Sequence, residues 1–299
     1  MGVIYTPEQL SSGRIPDETA HRRAGRFIIE RFSDLHAEAP DFRGGMIYGS
    51  AHFNPTIRSD LDILTVLDPS VSPQTIDQIL AIYREVGQQF SVQPEANTLL
   101  LNEKSSWHDH KLDALFGVHL EAILRDNPES AVGDFRHLLK FDELSPEKAL
   151  AIVHEYAVYK ERRFVKSLTH TGEGIDYARL QRAFELPSAL GRKAIAAFSI
   201  NARVDYAQLG RDRLSTECLD ILSTQTLNEN AHLAHTQLAT NDATYTQLLH
   251  DTLVGDVSLD DYEGWLADVS RPAIHNARVL STAWKQIISA RQNSVSTLI

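Results

Sequence analysis

Hydrophobic and polar positions follow two rhythms along this chain. The first third reads as short apolar runs broken by turn residues, and the rest reads as apolar residues at helical spacing. Gly44-Gly45-Met46-Ile47-Tyr48 is an apolar run that enters a Gly49-Ser50 turn. After nine intervening residues, Asp60-Leu61-Asp62-Ile63-Leu64-Thr65-Val66-Leu67 opens a second run. Runs of this length bounded by Gly, Ser and Pro predict strands. Ahead of them, Ala20, Ala24, Phe27, Ile28, Phe32 and Leu35 recur every three or four residues between Pro16 and about Ala39. That spacing predicts one amphipathic helix packed on the first strand. Behind them, Asp68-Pro69 ends the strand and Ser72-Pro73 opens a helix reaching about Phe90, with Ile76, Ile79, Leu80, Tyr83 and Val86 on one side. The apolar end of the stretch from Phe90 to Leu101 predicts a further strand.

From about Ser106 the helical rhythm takes over. Lys111 to Leu124, Ala131 to Leu139, Pro146 to Leu168, Tyr177 to Phe184 and Ala189 to about Ala202 all carry apolar residues at helical spacing. Leu214 to Leu238, Thr244 to Leu253, Leu259 to Asp268 and Pro272 to Ala290 predict further helices, with a frayed tail after Gln292. The expected class is therefore α+β. A small mixed sheet with flanking helices occupies residues 1–105, and a larger all-helical domain occupies 106–299 and completes a cleft.

Composition narrows the function classes. The chain has 299 residues, 42% hydrophobic and 23% charged, as in a soluble globular protein. No apolar run is long enough to cross a bilayer, and the first residues lack the basic-then-apolar order of a secretory signal, so a cytoplasmic location is expected. The single cysteine, Cys218, excludes an internal disulfide and reads as a small buried hydrophobe. A formal net charge of −11 disfavours nucleic acid as a partner of the surface as a whole and fits a small or cationic acceptor better.

The candidate chemistry lies in the second strand. Side chains of an extended strand alternate faces, so Asp60 and Asp62 point one way while Leu61 and Ile63 point into a core. Two carboxylates on one face repel, and a cation between them relieves that repulsion. Hard oxygen ligands suit Mg²⁺, which borrows further oxygens from a substrate's phosphates. Gly49 permits close backbone approach, and Ser50 and its neighbouring N–H groups can donate to phosphate oxygens. Metal and nucleotide are thus suggested together.

Tyr48-Gly49-Ser50 followed by Ser59-Asp60-Leu61-Asp62-Ile63 resembles the motif of the polymerase-β-like nucleotidyltransferases, over about residues 42 to 104. The resemblance implies a small nucleotidyltransferase-type sheet, Asp60 and Asp62 as metal ligands and catalytic residues, and Gly49 and Ser50 as contacts of the nucleotide. It also implies a third carboxylate on a later strand, as metal ligand or base. Glu95 is the best placed, with Glu103 behind it, and the alternative is an edge residue beside Pro94.

In similar enzymes, basic residues of the helical region often clamp phosphates. Here Lys160 and Arg163 lie three apart in the densest positive run, Tyr159 to Lys166; the other reading is a solvated face partnered by Glu155 and Glu161. His52, in the loop between Ser50 and Asp60, is a further candidate beside the nucleotide, and His108-Asp109-His110 a weak one for a metal.

The implied activity is a metal-dependent transfer of a nucleoside monophosphate from an NTP such as ATP to a hydroxyl-bearing acceptor, releasing pyrophosphate. Mg²⁺ is the implied cofactor. The acidic surface leans toward a small, aminoglycoside-like acceptor. The alternatives are an RNA- or protein-modifying or cyclic-nucleotide-forming transferase of a bacterial toxin or defence system, and a nucleotide-binding scaffold without turnover.

Overall fold

A computed structural model describes residues 19–49, 59–100, 123–133, 145–168 and 229–296 continuously, with single positions and short runs elsewhere. Packing divides the chain into two units, one drawn mainly from residues 8–142 and the other mainly from 143–299.

The first unit is built on a four-stranded mixed sheet. Its elements are helix α1 (Ala20–Glu38), strands β1 (Phe42–Tyr48) and β2 (Leu61–Leu67), helix α2 (Pro73–Phe90), and strands β3 (Pro94–Leu100) and β4 (Ala131–Gly133). The order across the sheet is β3-β2-β1-β4. β1 runs antiparallel to both β2 and β4, and β2 and β3 are parallel, joined by the crossover through α2.

Helix α1 covers the sheet with Ala20, Ala24, Ile28, Phe32 and Leu35, the stripe its sequence spacing predicts. Helix α2 starts where Ser72 accepts the Thr75 N–H at 3.2 Å with Pro73 in its first turn, and ends at Ser91, whose φ of 56° is left-handed. Its buried stripe is Thr75, Ile79, Ile82 and Val86. Ile76 and Leu80, expected on that side, are instead 40% and 48% exposed, because the stripe that meets the sheet is rotated toward Ile82. One sheet face packs Phe42, Ile47, Leu61, Ile63 and Leu67 against α1 and α2. The other packs Met46, Tyr48, Leu64, Val66 and Leu99 against Leu120, Ile123, Leu124 and Phe135.

Strand β4 corrects the helix expected over Ala131 to Leu139. Gly133 has φ of +93°, foreign to a helix, and any side chain there would strike the Arg43 carbonyl across the ladder. Pairing of Gly44 with Gly133 is close enough that only glycines fit, and it draws a short segment into the sheet. The expected boundary at 105/106 lies outside the described residues.

The second unit is helical. Helix α3 spans Pro146–Leu168, α4 spans Glu229–Val254 and α5 spans Leu259–Ser296, with α5 packing on both others. Gln237 and Asn276 bond across α4 and α5 at 2.7 Å, and Lys285 donates to Glu161 across α5 and α3 at 2.5 Å. Tyr245 stacks with Tyr262 and Trp265 at centroid separations of 6.2 and 6.3 Å. Cys218 is buried, as expected of a small hydrophobe.

Two pairs of expected helices are single ones. α4 runs through the break expected after Leu238, where Thr236, Thr240, Thr244 and Thr246 satisfy their hydroxyls on carbonyls four residues back. α5 continues through Pro272 and past Gln292 to Ser296. A buried row of Tyr262, Leu266, Ala273, Ala277, Leu280 and Trp284 runs on either side of that proline, and its packing outweighs the missing hydrogen bond. Among the described residues, no helix is long and apolar enough to cross a membrane.

Candidate metal centre

The centre forms where β2 begins. Asp62 is the second residue of β2, and the register sets it between Tyr48, the last residue of β1, and Glu95, the second residue of β3. Strand alternation sends Leu61 and Ile63 into the core under α1 and α2, while Asp62 shares the face of Leu64 and Val66. Asp60 precedes the ladder. The Leu61 N–H just after it donates to the Gln93 carbonyl at 3.0 Å, which ties the start of β2 to the residues leading into β3.

Asp60, Asp62 and Glu95 converge. One carboxylate oxygen from each lies within 4.8 Å of the other two, Asp60 buried and the others partly so. A divalent cation bonded to oxygens at about 2.0–2.6 Å joins oxygens up to about 4–5 Å apart, and the cluster falls within that range. The donor set is all carboxylate, which fits a hard divalent cation and leaves room for water or substrate oxygens. The cluster could therefore hold a metal ion.

Burial, a hydrogen bond with Glu95 and the charge of Asp62 push the Asp60 carboxyl well above the usual carboxylate range. Tyr48 reports the same field. Burial and the charge of Asp62, with smaller contributions from Glu95 and Asp60, raise its phenol far above the ordinary tyrosine value, so it stays protonated. Its oxygen accepts from Asn97 Nδ2 at 2.5 Å.

Gly49 closes one side of the centre. Its φ is +77°, and a Cβ at this position would collide with Asp62 Oδ2. The turn after β1 thus lies against the Asp62 carboxylate, and only glycine allows both the conformation and the approach.

The other expected site residues are placed as follows. Ser50, His52, Glu103 and His108 to His110 lie outside the described residues. Lys160 and Arg163 belong to α3 in the second unit. Lys160 Nζ sits 5.2 Å from the Tyr156 ring centroid, and the Lys193 ammonium lies 4.6 Å from the same ring. The side chain of Arg163 is outside the described set. Three residues beside the carboxylates escaped the sequence reading. Asn97 shares strand parity with Glu95, which could have flagged it, and Tyr48 was read only as part of a motif. His21, on the buried stripe of α1, carries no sequence signal of its own.

The chain matches no family model, no curated protein and no solved structure.

Proposed function

We propose that the protein is a metal-dependent nucleotidyltransferase with a nucleotidyltransferase-type sheet, moving a nucleoside monophosphate from an NTP to a hydroxyl-bearing acceptor and releasing pyrophosphate. The observation that carries this reading is the meeting of Asp60, Asp62 and Glu95 within 4.8 Å, with the backbone of Gly49 pressed against the Asp62 carboxylate. An acidic triad beside a glycine turn is suited to phosphates that arrive together with a divalent cation.

In this proposal Asp60 and Asp62 hold Mg²⁺. A bound Mg²⁺ would neutralise phosphate charge and the charge growing on the leaving pyrophosphate. Gly49, with Ser50 beyond it in sequence, orients the triphosphate. Glu95 completes the ligand set or takes the proton of the acceptor hydroxyl as its oxygen attacks the α-phosphorus and the bond to pyrophosphate breaks. Tyr48, neutral and hydrogen-bonded by Asn97, adds no negative charge beside the carboxylates. The formal charge of −11 supports a small, cationic, hydroxylated acceptor over a polyanion.

The test is incubation with each labelled NTP, Mg²⁺, and acceptors that include aminoglycosides, RNA and the protein itself. The expected result is label on a small acceptor with stoichiometric pyrophosphate. Tight NTP binding with no pyrophosphate from any acceptor would favour the scaffold instead.

A further inference from the structure

We infer that His21 is a positioning residue for the metal centre, acting on Asp60 through the backbone; this rests on the metal-site reading above. His21 is 1% exposed, on the buried stripe of α1, where every other buried member is apolar. Its Nε2 lies 2.5 Å from the Ser59 carbonyl, thirty-eight residues away. A carbonyl cannot donate, so Nε2 carries the hydrogen and the ring is fixed in orientation by that bond.

The position of the bond gives it a role beyond packing. Ser59 and Asp60 precede β2, so neither is in the strand ladder. The Ser59 carbonyl belongs to the same peptide plane as the Asp60 N–H, and a peptide plane moves as one body. His21 anchors that plane from α1, and the Leu61 N–H, bonded to Gln93 at 3.0 Å, anchors the next one toward β3. Between the two anchors, the Asp60 Cα has little freedom, and its carboxylate is delivered to the cluster it shares with Asp62 and Glu95. Groups that orient ligands in this way act on affinity for the ion, not merely on the fold.

The same helix supplies a control. His36, in its last turn, makes the equivalent bond from Nδ1 to the Phe42 carbonyl at 3.1 Å, at the opposite end of β1 from the carboxylates. The two histidines share a helix and a bond type but differ in what the bonded carbonyl precedes.

The experiment titrates Mn²⁺ into the full chain without nucleotide, followed by electron paramagnetic resonance, with thermal melts in EDTA alongside. His21→Phe and His21→Met remove the donor and keep bulk, and His21→Gln retains an N–H that can reach the carbonyl. The Mn²⁺ dissociation constant should rise about 10-fold or more in the first two and stay within about 3-fold of wild type in His21→Gln. His36→Phe should lower the melting temperature and leave Mn²⁺ affinity unchanged. Wild-type affinity in folded His21→Phe and His21→Met, or an equal loss in His36→Phe, would overturn the inference while leaving the metal site standing. Absence of Mn²⁺ binding by the wild type would overturn both. If neither donor-free variant folds, His21→Asn decides, because its amide is too short to reach Ser59. Weaker Mn²⁺ binding in His21→Asn than in His21→Gln supports the inference, and equal binding overturns it.

Discussion

At the end of the sheet where β1 begins and β2 ends, Asp41 and Asp68 are held by donors from the chain itself. Asp41 accepts from the Ser72 N–H at 2.8 Å and the Thr75 hydroxyl at 2.8 Å, and Asp68 accepts from Ser70 and from Arg43 at 2.8 Å. Those bonds draw both carboxyls below their ordinary range. At the other end, Asp60 sits among further carboxylates and is pushed the opposite way, by burial first, then Glu95 and Asp62. The same residue type, in one sheet, thus lies among hydrogen-bond donors at one end and among other carboxylates at the other. A helix start and a strand junction account for the first arrangement.

The contrast breaks most completely if the carboxylate end is neutralised. On the proposed reaction, Asp62→Asn and Asp60→Asn should each lower turnover by about 10³-fold or more while preserving the fold, because they remove the carboxylates that would hold the cation offsetting the charge of the leaving pyrophosphate. Parallel pyrophosphate assays and circular dichroism would check this. An Asn variant that keeps its rate would remove the distinction between the two ends.

Gly49→Ala comes next. The substitution strains a left-handed backbone and drives a methyl group into Asp62 Oδ2. It should cost about 1–3 kcal/mol in denaturant unfolding and weaken Mn²⁺ binding as well. A stability loss without a change in affinity would mean that the turn serves the fold alone.

The two ends should also titrate with opposite sign. Groups whose folded carboxyl is depressed, Asp41 and Asp68, add stability above the unfolded carboxylate range, and it is lost as pH falls below about 4. Asp60 is raised, so above about pH 4 the folded chain binds more protons than the unfolded one, and stability without metal declines as pH rises. Melts from about pH 5 to about pH 8 in EDTA should show that decline. It should vanish in Asp60→Asn, and vanish likewise with saturating Mg²⁺, whose binding displaces the proton and leaves Asp60 ionised in the folded chain as it already is in the unfolded one. The smallest effect belongs to the structural end: Ser72→Ala, which removes the cap of α2, should cost about 1 kcal/mol and leave Mn²⁺ affinity untouched.

Local periodicity made the first half of the fold legible. The stripe of α1, the Ser72-Pro73 start of α2, and the alternation that puts Leu61 and Ile63 opposite Asp62 are all consequences of residues close in sequence. Elements decided by distant partners were not legible. Three-residue β4 exists because Gly133 meets Gly44 across eighty-nine positions, and α5 survives Pro272 because a buried row lies on both sides of it. The carboxylate pair could be read from strand parity. The meeting of Glu95 with it depended on the parallel register of β2 and β3, and the His21 bond on how α1 lies over Ser59. Neither pairing leaves a mark in local spacing.

The central claim, that three carboxylates gathered where two parallel strands begin form one cation site, is tested most directly by anomalous diffraction from crystals soaked in Mn²⁺. The account predicts a single strong peak about 2.2 Å from oxygens of Asp60, Asp62 and Glu95. A peak elsewhere, or none at the triad under conditions where Mn²⁺ binds in solution, would contradict it.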